Sequence, residues 1–501
     1  MQLTTFLIAS LIHVIDGAKI LGFFVSPNVK PDYYYPIFEE LALRGHHVTL
    51  ISPTLRDQSE IKNLHVEDIS FVLEVGVNFT NIINEGSYTF TNTMNMFEFY
   101  RDTFKLLLKR DEVKTVLQQK FDVVIAEHVT PLTFIPSVLS GATTIGFSAS
   151  SGPLHAHDSV SNPTHPVTTP SSILNMEGEL SYQDRLNSGL YNIWYRLYYN
   201  LYELPKCDKI IKDYFGASGP YLGQTEKNVS LQIFYSNPIL GLIRPNVANV
   251  VEISLANIKT STLKDSAIKE FLDTSTHGII YINLDFKDSK IEKRIVKLLC
   301  ESLSHLPYHV LWNYNSRKNM NSFKFMVRPD LPQADILAHK NVKLFITDGD
   351  ILSIEQSVIN DVPLIGIPLY FDQKPYVNVI ERKQIGKVID AKNITEQMLK
   401  NTVVEVAECK KFKKNVQKVG FLLREEPAGL PKIIWWIEFI IRRKGATHIR
   451  STAPNYYLYQ YYFLDIIAFM LFTLGVLIFV IYFIINLFVK VGRMAFKLKL
   501  E

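Results

Sequence analysis

The sequence predicts an α/β chain of two doubly wound parallel-sheet domains facing across a cleft, followed by one transmembrane helix. Three observations predict this. Apolar runs of strand length alternate with helical patterns near the N-terminus and again beyond Gly278. At 501 residues the chain is too long for one hydrophobic core and suits two domains. Near the C-terminus, residues 466–485 read IIAFMLFTLGVLIFVIYFII, without one charge. At about 1.5 Å per residue that run spans about 30 Å, the thickness of a bilayer core.

The elements follow in order. Residues 4–15, TTFLIASLIHVI, are too short to span a membrane but suit the apolar region of a secretory signal, expected over 1–17. A buried first strand is the alternative. Residues 19–26, KILGFFVS, read as a buried strand, and residues 33–44 carry apolar positions at helical spacing up to Gly45, a normal helix stop. With HVTLIS at 47–52 as the next strand, a βαβ unit and hence a parallel sheet begins here. FDVVIAE at 121–127 is a later strand running into a polar end at Glu127. Residues 162–190, rich in Ser, Thr, Pro and His, read as a long loop. The tyrosine-crowded stretch 191–202 reads as a helix, either around an apolar cleft or in a helix–helix contact.

A second alternation starts at GIIYINLD: helix 289–303, strand 309–312, short helix 335–339, strand 342–347, helix 351–359 and strand 363–369. Two Rossmann-like halves result, expected over 18–245 and 246–445, with ligands at the C-terminal ends of the strands. A juxtamembrane linker (446–462), the span (463–489) and a basic tail (490–501) complete the chain. Lys490, Arg493, Lys497 and Lys499 in that tail place it on the cytoplasmic side and the bulk of the chain in the lumen.

Composition excludes several functions. A net charge of +4 without a basic stripe argues against nucleic acid. Cys207, Cys300 and Cys409 are widely spread, so neither a disulfide framework nor a metal knuckle is expected. No Gly-x-Gly-x-x-Gly follows the first strand and no Walker loop exists, which disfavours nicotinamide and ATP enzymes. Asn78, Asn228 and Asn393 head glycosylation sequons suited to a lumenal protein, whereas Asn162-Pro-Thr is excluded by its proline.

Residues 331–373 read LPQADILAHKNVKLFITDGDILSIEQSVINDVPLIGIPLYFDQ. This run resembles the donor-binding signature of UDP-glycosyltransferases, in the membrane-anchored branch that includes UDP-glucuronosyltransferases, in an insect-like form. Gly45-His46, Trp435-Trp436 and His448-Ile-Arg-Ser look like further landmarks of that family. The resemblance implies a glycosyltransferase B-type fold and transfer of a hexose from a UDP-sugar to a small lipophilic acceptor, with inversion and without metal or other cofactor. It also implies an endoplasmic reticulum membrane protein of type I, with a homo- or heterodimer among its expected partners.

Residue by residue, the chain departs from that family. The usual base His, in the loop after the first strand, is replaced near Lys30, and Glu127 falls where the acid orienting that base would stand. An ordinary lysine, with a pKa of about 10.4, is no base unless strongly desolvated. Without a His to orient, a cap on a neighbouring backbone amide is the favoured role of Glu127. The family's His-Gly-Gly becomes Asp348-Gly349-Asp350, setting two carboxylates at a helix start that would cradle a diphosphate. Asp350 there is a good N-cap. The ribose-binding Glu becomes Gln356, a Gly becomes Asp361, a Trp becomes Asp330, and Phe286 stands close to the phosphate space. Gln333, Ser353, Asp372 and Gln373 are kept, the last two as contacts to sugar hydroxyls or as a strand-end turn. A non-catalytic relative, acting as lipophile carrier or partner scaffold, is the alternative to a transferase.

Overall fold

The structure, a computed structural model, describes residues 17–27, 29–56, 61–73, 89–176, 178–216, 221–256, 263, 265–286, 289–316, 320–369 and 373–498. The expected signal segment, Asn78 and Asp372 lie outside the described residues.

Two parallel sheets organise the chain up to Arg450. The first joins β1 (Lys19–Phe23), β2 (His47–Ser52), β3 (Leu64–Asp68), β4 (Val123–Glu127), β5 (Thr143–Ser148), β6 (Leu231–Tyr235) and β7 (Val250–Ile253) in the order β3-β2-β1-β4-β5-β6-β7. The second joins β8 (Ile279–Asn283), β9 (His309–Asn313), β10 (Phe325–Arg328), β11 (Val342–Thr347), β12 (Leu364–Gly366) and β13 (Gly386–Val388) in the order β10-β9-β8-β11-β12-β13. Strands such as VVIAE and IIYIN are apolar on both faces because helices cover both.

One apolar core runs through both halves. It carries Phe24, Tyr34 and Phe38 from the first sheet's side and Tyr281, Phe345 and Ile354 from the second. The Gly429–Arg443 helix returns to pack on the Tyr35–Leu43 helix and on β7, tying the end of the second half to the first. Gly45 closes the Tyr35–Leu43 helix at φ 93°, a left-handed conformation that glycine adopts without strain.

One expected loop ends in helix. Residues 162–190 were expected to be irregular throughout, yet a helix starts at Tyr182 and runs to Tyr198. A reciprocal cap decides its start: the Ser181 hydroxyl accepts from the Asp184 amide while the Asp184 carboxylate accepts from the Ser181 amide. Tyr191, Tyr195 and Tyr199 are buried from this helix and pack with Phe97 of the Thr89–Leu107 helix, a helix–helix contact.

From Ser451 the chain forms a second compact unit. It ends in the 35-residue Leu464–Leu498 helix, whose large apolar side chains from Leu464 to Val491 are exposed. Its segment Leu464–Arg493, with mean hydropathy 2.8, is long and apolar enough to cross a membrane.

Candidate active site

Strand order reverses between β1 and β4 in the first sheet and between β8 and β11 in the second. Ligands bind at such switch points, beyond the C-terminal ends of the strands. The loop after β1 carries Lys30 and Tyr33, and the turn after β11 carries Asp348, Gly349 and Asp350. The fold brings these two loops together.

Lys30 Nζ lies 2.7 Å from Asp350 Oδ2, with both side chains largely buried. Burial works against the Lys30 charge, but the carboxylates of Asp350, Asp348 and Asp285 outweigh it and hold its pKa above the ordinary lysine range. In this arrangement Lys30 is a charge partner, not a proton acceptor. Burial likewise opposes the Asp350 charge, yet the Lys30 ammonium and the hydrogen bonds from Ser353 hold its carboxyl below the usual range.

Asp350 also caps the Ile351–Ile359 helix. Its Oδ1 accepts from the Ser353 amide at 3.0 Å and from the Tyr33 hydroxyl at 3.2 Å. The Tyr33 hydroxyl in turn accepts from the Leu352 amide at 3.2 Å. Two of the free N–H groups that make a helix start attractive to phosphate are therefore satisfied by the chain's own side chains. Gly349, at φ 92°, brings the backbone so close to Val377 that a Cβ would sit 1.9 Å from its Cγ1.

The kept residues form two groups. Gln333 donates to Ser353 Oγ at 2.9 Å and to Gln356 Oε1 at 2.8 Å, and accepts from Asn283 Nδ2 at 2.6 Å. Gln373 donates to Asp348 Oδ2 at 2.7 Å and accepts from the Leu369 amide at 2.8 Å. Glu127 is fully buried under the β1 loop, where one carboxylate oxygen accepts from the amides of Val25 and Ser26 at 2.9 and 2.8 Å. Burial raises its pKa, and those hydrogen bonds offset part of the rise.

Phe286 packs edge-on against Tyr314, 6.0 Å between ring centres, as part of the second sheet's core. Asp361 and Asp330 both sit at left-handed φ, 58° and 53°. Asp enters that region more readily than most residues, and Asp361 adds an ion pair to Arg424 at 3.0 Å.

Comparison with known proteins bears on this geometry. The family model for UDP-glucoronosyl and UDP-glucosyl transferases matches residues 36–499. The chain belongs to the UDP-glycosyltransferase family. It is 28% identical to UDP-glycosyltransferase UGT5 of Dactylopius coccus, covering 95% of this chain and 93% of that one. Identity to human UDP-glucuronosyltransferase 2B10 is 23%, over 89% and 88% of the two chains. The fold matches spinosyn forosaminyltransferase SpnP with a TM-score of 0.56 at 12% identity, over 85% of this chain and 100% of that one. It matches Os79 of O. sativa, solved with U2F and a trichothecene, with a TM-score of 0.52 at 16% identity, over 85% and 100%.

Members of this UDP-glycosyltransferase family take a UDP-sugar as co-substrate. In this member the carboxylates of Asp350, Asp348 and Asp285 surround Lys30.

Sequence reasoning missed Tyr33, Asn283 and the pair Tyr235 and Glu355. Tyr33 follows Lys30 by one helical turn in PDYYYP, but three adjacent tyrosines give no sign of which one turns to the second half. Glu355 Oε2 accepts from Tyr235 OH at 2.8 Å and Ser254 Oγ at 2.7 Å, joining the second half to the ends of β6 and β7. Burial raises its pKa to about 8.

Proposed function

We propose that this family member holds a small lipophilic molecule in the cleft between its halves and does not glycosylate it by the family's base-assisted, inverting route. One observation supports this above all. Tyr33 and Asp350 fill the amides at the start of the Ile351–Ile359 helix, with Lys30 as counter-charge where a base would stand. A diphosphate entering there must displace that set or meet carboxylates; two like charges about 4 Å apart near a surface cost roughly 1–4 kcal/mol. The cleft beside it is lined by Pro170, Met176, Leu240, Leu242 and Tyr376. That apolar lining suits a lipophile. Arg244 lines the same cleft as a polar handle.

A second reading, hexose transfer from a UDP-sugar, is favoured by the bonded group of Gln333, Ser353 and Gln356 and by the buried Glu127 under the β1 loop. Calorimetric titration of UDP and UDP-glucose into the purified protein decides between the two. Binding at micromolar strength supports the transferase. No binding at millimolar nucleotide, with lipophile binding retained, supports the carrier.

The bulk of the chain is assigned to the lumen of the endoplasmic reticulum, with the span near 463–489 and a cytoplasmic tail. The basic residues after the span support this, as do the exposed positions of Asn228 and Asn393. Endoglycosidase treatment of the protein from microsomes should lower its apparent mass, and loss of that shift in an Asn78, Asn228 and Asn393 triple variant identifies the acceptors. An unshifted protein sinks the lumenal assignment. A homo- or heterodimer is part of the same proposal, and analytical ultracentrifugation in detergent tests it.

A further inference from the structure

A second polar centre lies inside the first half, and the transfer chemistry makes no use of it. His128 follows β4 and is fully buried. Its Nδ1 lies 2.8 Å from Gln232 Oε1 and its Nε2 lies 2.9 Å from Glu226 Oε1. The Gln232 amide is oriented by its NH₂ group, which reaches Ser148 Oγ and the Ile233 carbonyl at 3.3 Å each. Its oxygen therefore faces His128, and the His128 Nδ1 carries a proton. Tyr199 OH donates to the same Glu226 oxygen at 2.7 Å.

Nε2 of a neutral His128 then points a lone pair at a carboxylate oxygen. Something positive must stand between them, either a second proton or a cation. His155 distinguishes the two. It is 2% exposed, its Nδ1 meets Tyr195 OH at 2.7 Å, and its Nε2 has no hydrogen-bond partner among the described residues. A proton between His128 and Glu226 leaves that nitrogen orphaned, at the cost of an unpaired buried polar atom. A cation can engage all three residues. One ligand atom each from His128, His155 and Glu226 lies within 4.8 Å of the others.

We propose that His128, His155 and Glu226 form a structural divalent-metal site suited to zinc. Two imidazoles and a carboxylate are ordinary zinc ligands at about 2.0–2.2 Å, so the geometry is completed when the 2.9 Å His128–Glu226 contact opens slightly and His155 moves in, with water as the fourth ligand. Each ligand already has an outer partner that orients it: Gln232 for His128, Tyr195 for His155 and Tyr199 for Glu226. Metal sites carry such partners as a rule. The three ligands come from the end of β4, the Leu154–Ser159 helix and the Leu222–Lys227 helix, so the ion would pin three segments of the first half together. Its role is structural, and the metal-free character of glycosyl transfer is unaffected.

The test uses the full chain in detergent after dialysis against a chelator. Titration with Co²⁺ should develop the intense visible bands of four-coordinate cobalt at one ion per chain. Zn²⁺ should displace it and raise the melting temperature. His155→Phe keeps a ring stacked on Tyr199, now 4.5 Å away at 10°, while removing the nitrogen. It should abolish the cobalt spectrum and weaken zinc by at least about 100-fold, since loss of an outer partner alone costs up to that much. The metal-free melting temperature should fall modestly, because the buried Tyr195 hydroxyl loses its 2.7 Å partner, so metal binding rather than stability is the readout. Glu226→Gln should act in the same direction. No stoichiometric cobalt or zinc binding by the parent, or undiminished binding in both variants, overturns the site and leaves a protonated His128 paired with Glu226.

Discussion

Lys30 and Asp350 lie 320 positions apart, yet their charged ends meet at 2.7 Å where the two halves of the chain face each other. Neither charge is isolated: Tyr33 and the Ser353 amide complete the carboxylate, and Asp348 and Asp285 add to the field around the ammonium. The pair joins the halves at the points where strand order reverses in the two sheets.

Removing one member of a buried pair leaves the other uncompensated, which costs more than the pair itself is worth. Lys30→Met should therefore destabilise the protein by roughly 1–3 kcal/mol, less than a fully buried pair because both side chains keep some solvent contact. The Lys30→Met/Asp350→Asn double variant should cost less than the two single changes summed. Thermal unfolding of the four proteins checks this. Additive losses would show that the two charges do not interact.

Restoring the family's residues at the plugged site should reopen it. Lys30→His, Asp348→His and Asp350→Gly together remove two carboxylates and one counter-charge, and should tighten UDP binding by roughly ten- to several-hundred-fold. Isothermal titration gives the answer. An unchanged affinity would place the block at Gln356 or Asp330 instead.

Stability should fall as pH rises through the range that Glu355 controls. Its folded carboxyl titrates at about 8, against an ordinary value of 4.5, so between those values the folded state holds a proton that the unfolded state has lost. The contribution is fully present below about pH 4.5 and is lost by about pH 8, a change of a few kcal/mol. Glu355→Gln should flatten the melting-temperature profile across that window. A parent profile that rises from pH 5 to 8, or an identical slope in the variant, would contradict this assignment.

Gly349 should not tolerate a side chain. A Cβ would lie 1.9 Å from Val377 Cγ1, and φ of 92° is strained for any residue but glycine. Gly349→Ala is expected to cost about 3 kcal/mol or more, lowering the melting temperature by roughly 6–12 °C for a domain of this size. Val377→Ala in the same chain should recover part of the loss by removing the clash while leaving the backbone strain. No recovery would assign the whole effect to φ.

Strand and helix assignments such as His47–Ser52, Val342–Thr347 and Ile351–Ile359 were readable before any coordinates, because buried parallel strands and their helices leave near-continuous apolar runs and clear stop signals. Asp350 as an N-cap was equally local, since a cap bonds an amide three residues away. The first part of the Tyr182–Tyr198 helix, residues 182–190, was hidden because the helix's outward face carries Leu186, Leu190, Ile193 and Leu197, exposed, while its buried face carries tyrosines. That pattern does not announce which side is inside.

The sequence by itself determined the α/β class, the order of most elements, the apolar C-terminal helix and the family, all of which rest on patterns within a few dozen residues. Only the tertiary structure decided what the substituted positions do to one another. Lys30 finds Asp350, Tyr33 takes the Leu352 amide, Glu355 reaches Tyr235, and His128, His155 and Glu226 converge. Those residues lie 27 to 320 positions apart, and hydrogen bonds and ion pairs act over only a few ångströms. No local pattern encodes which distant partner arrives; the packing of two sheets across a shared core does.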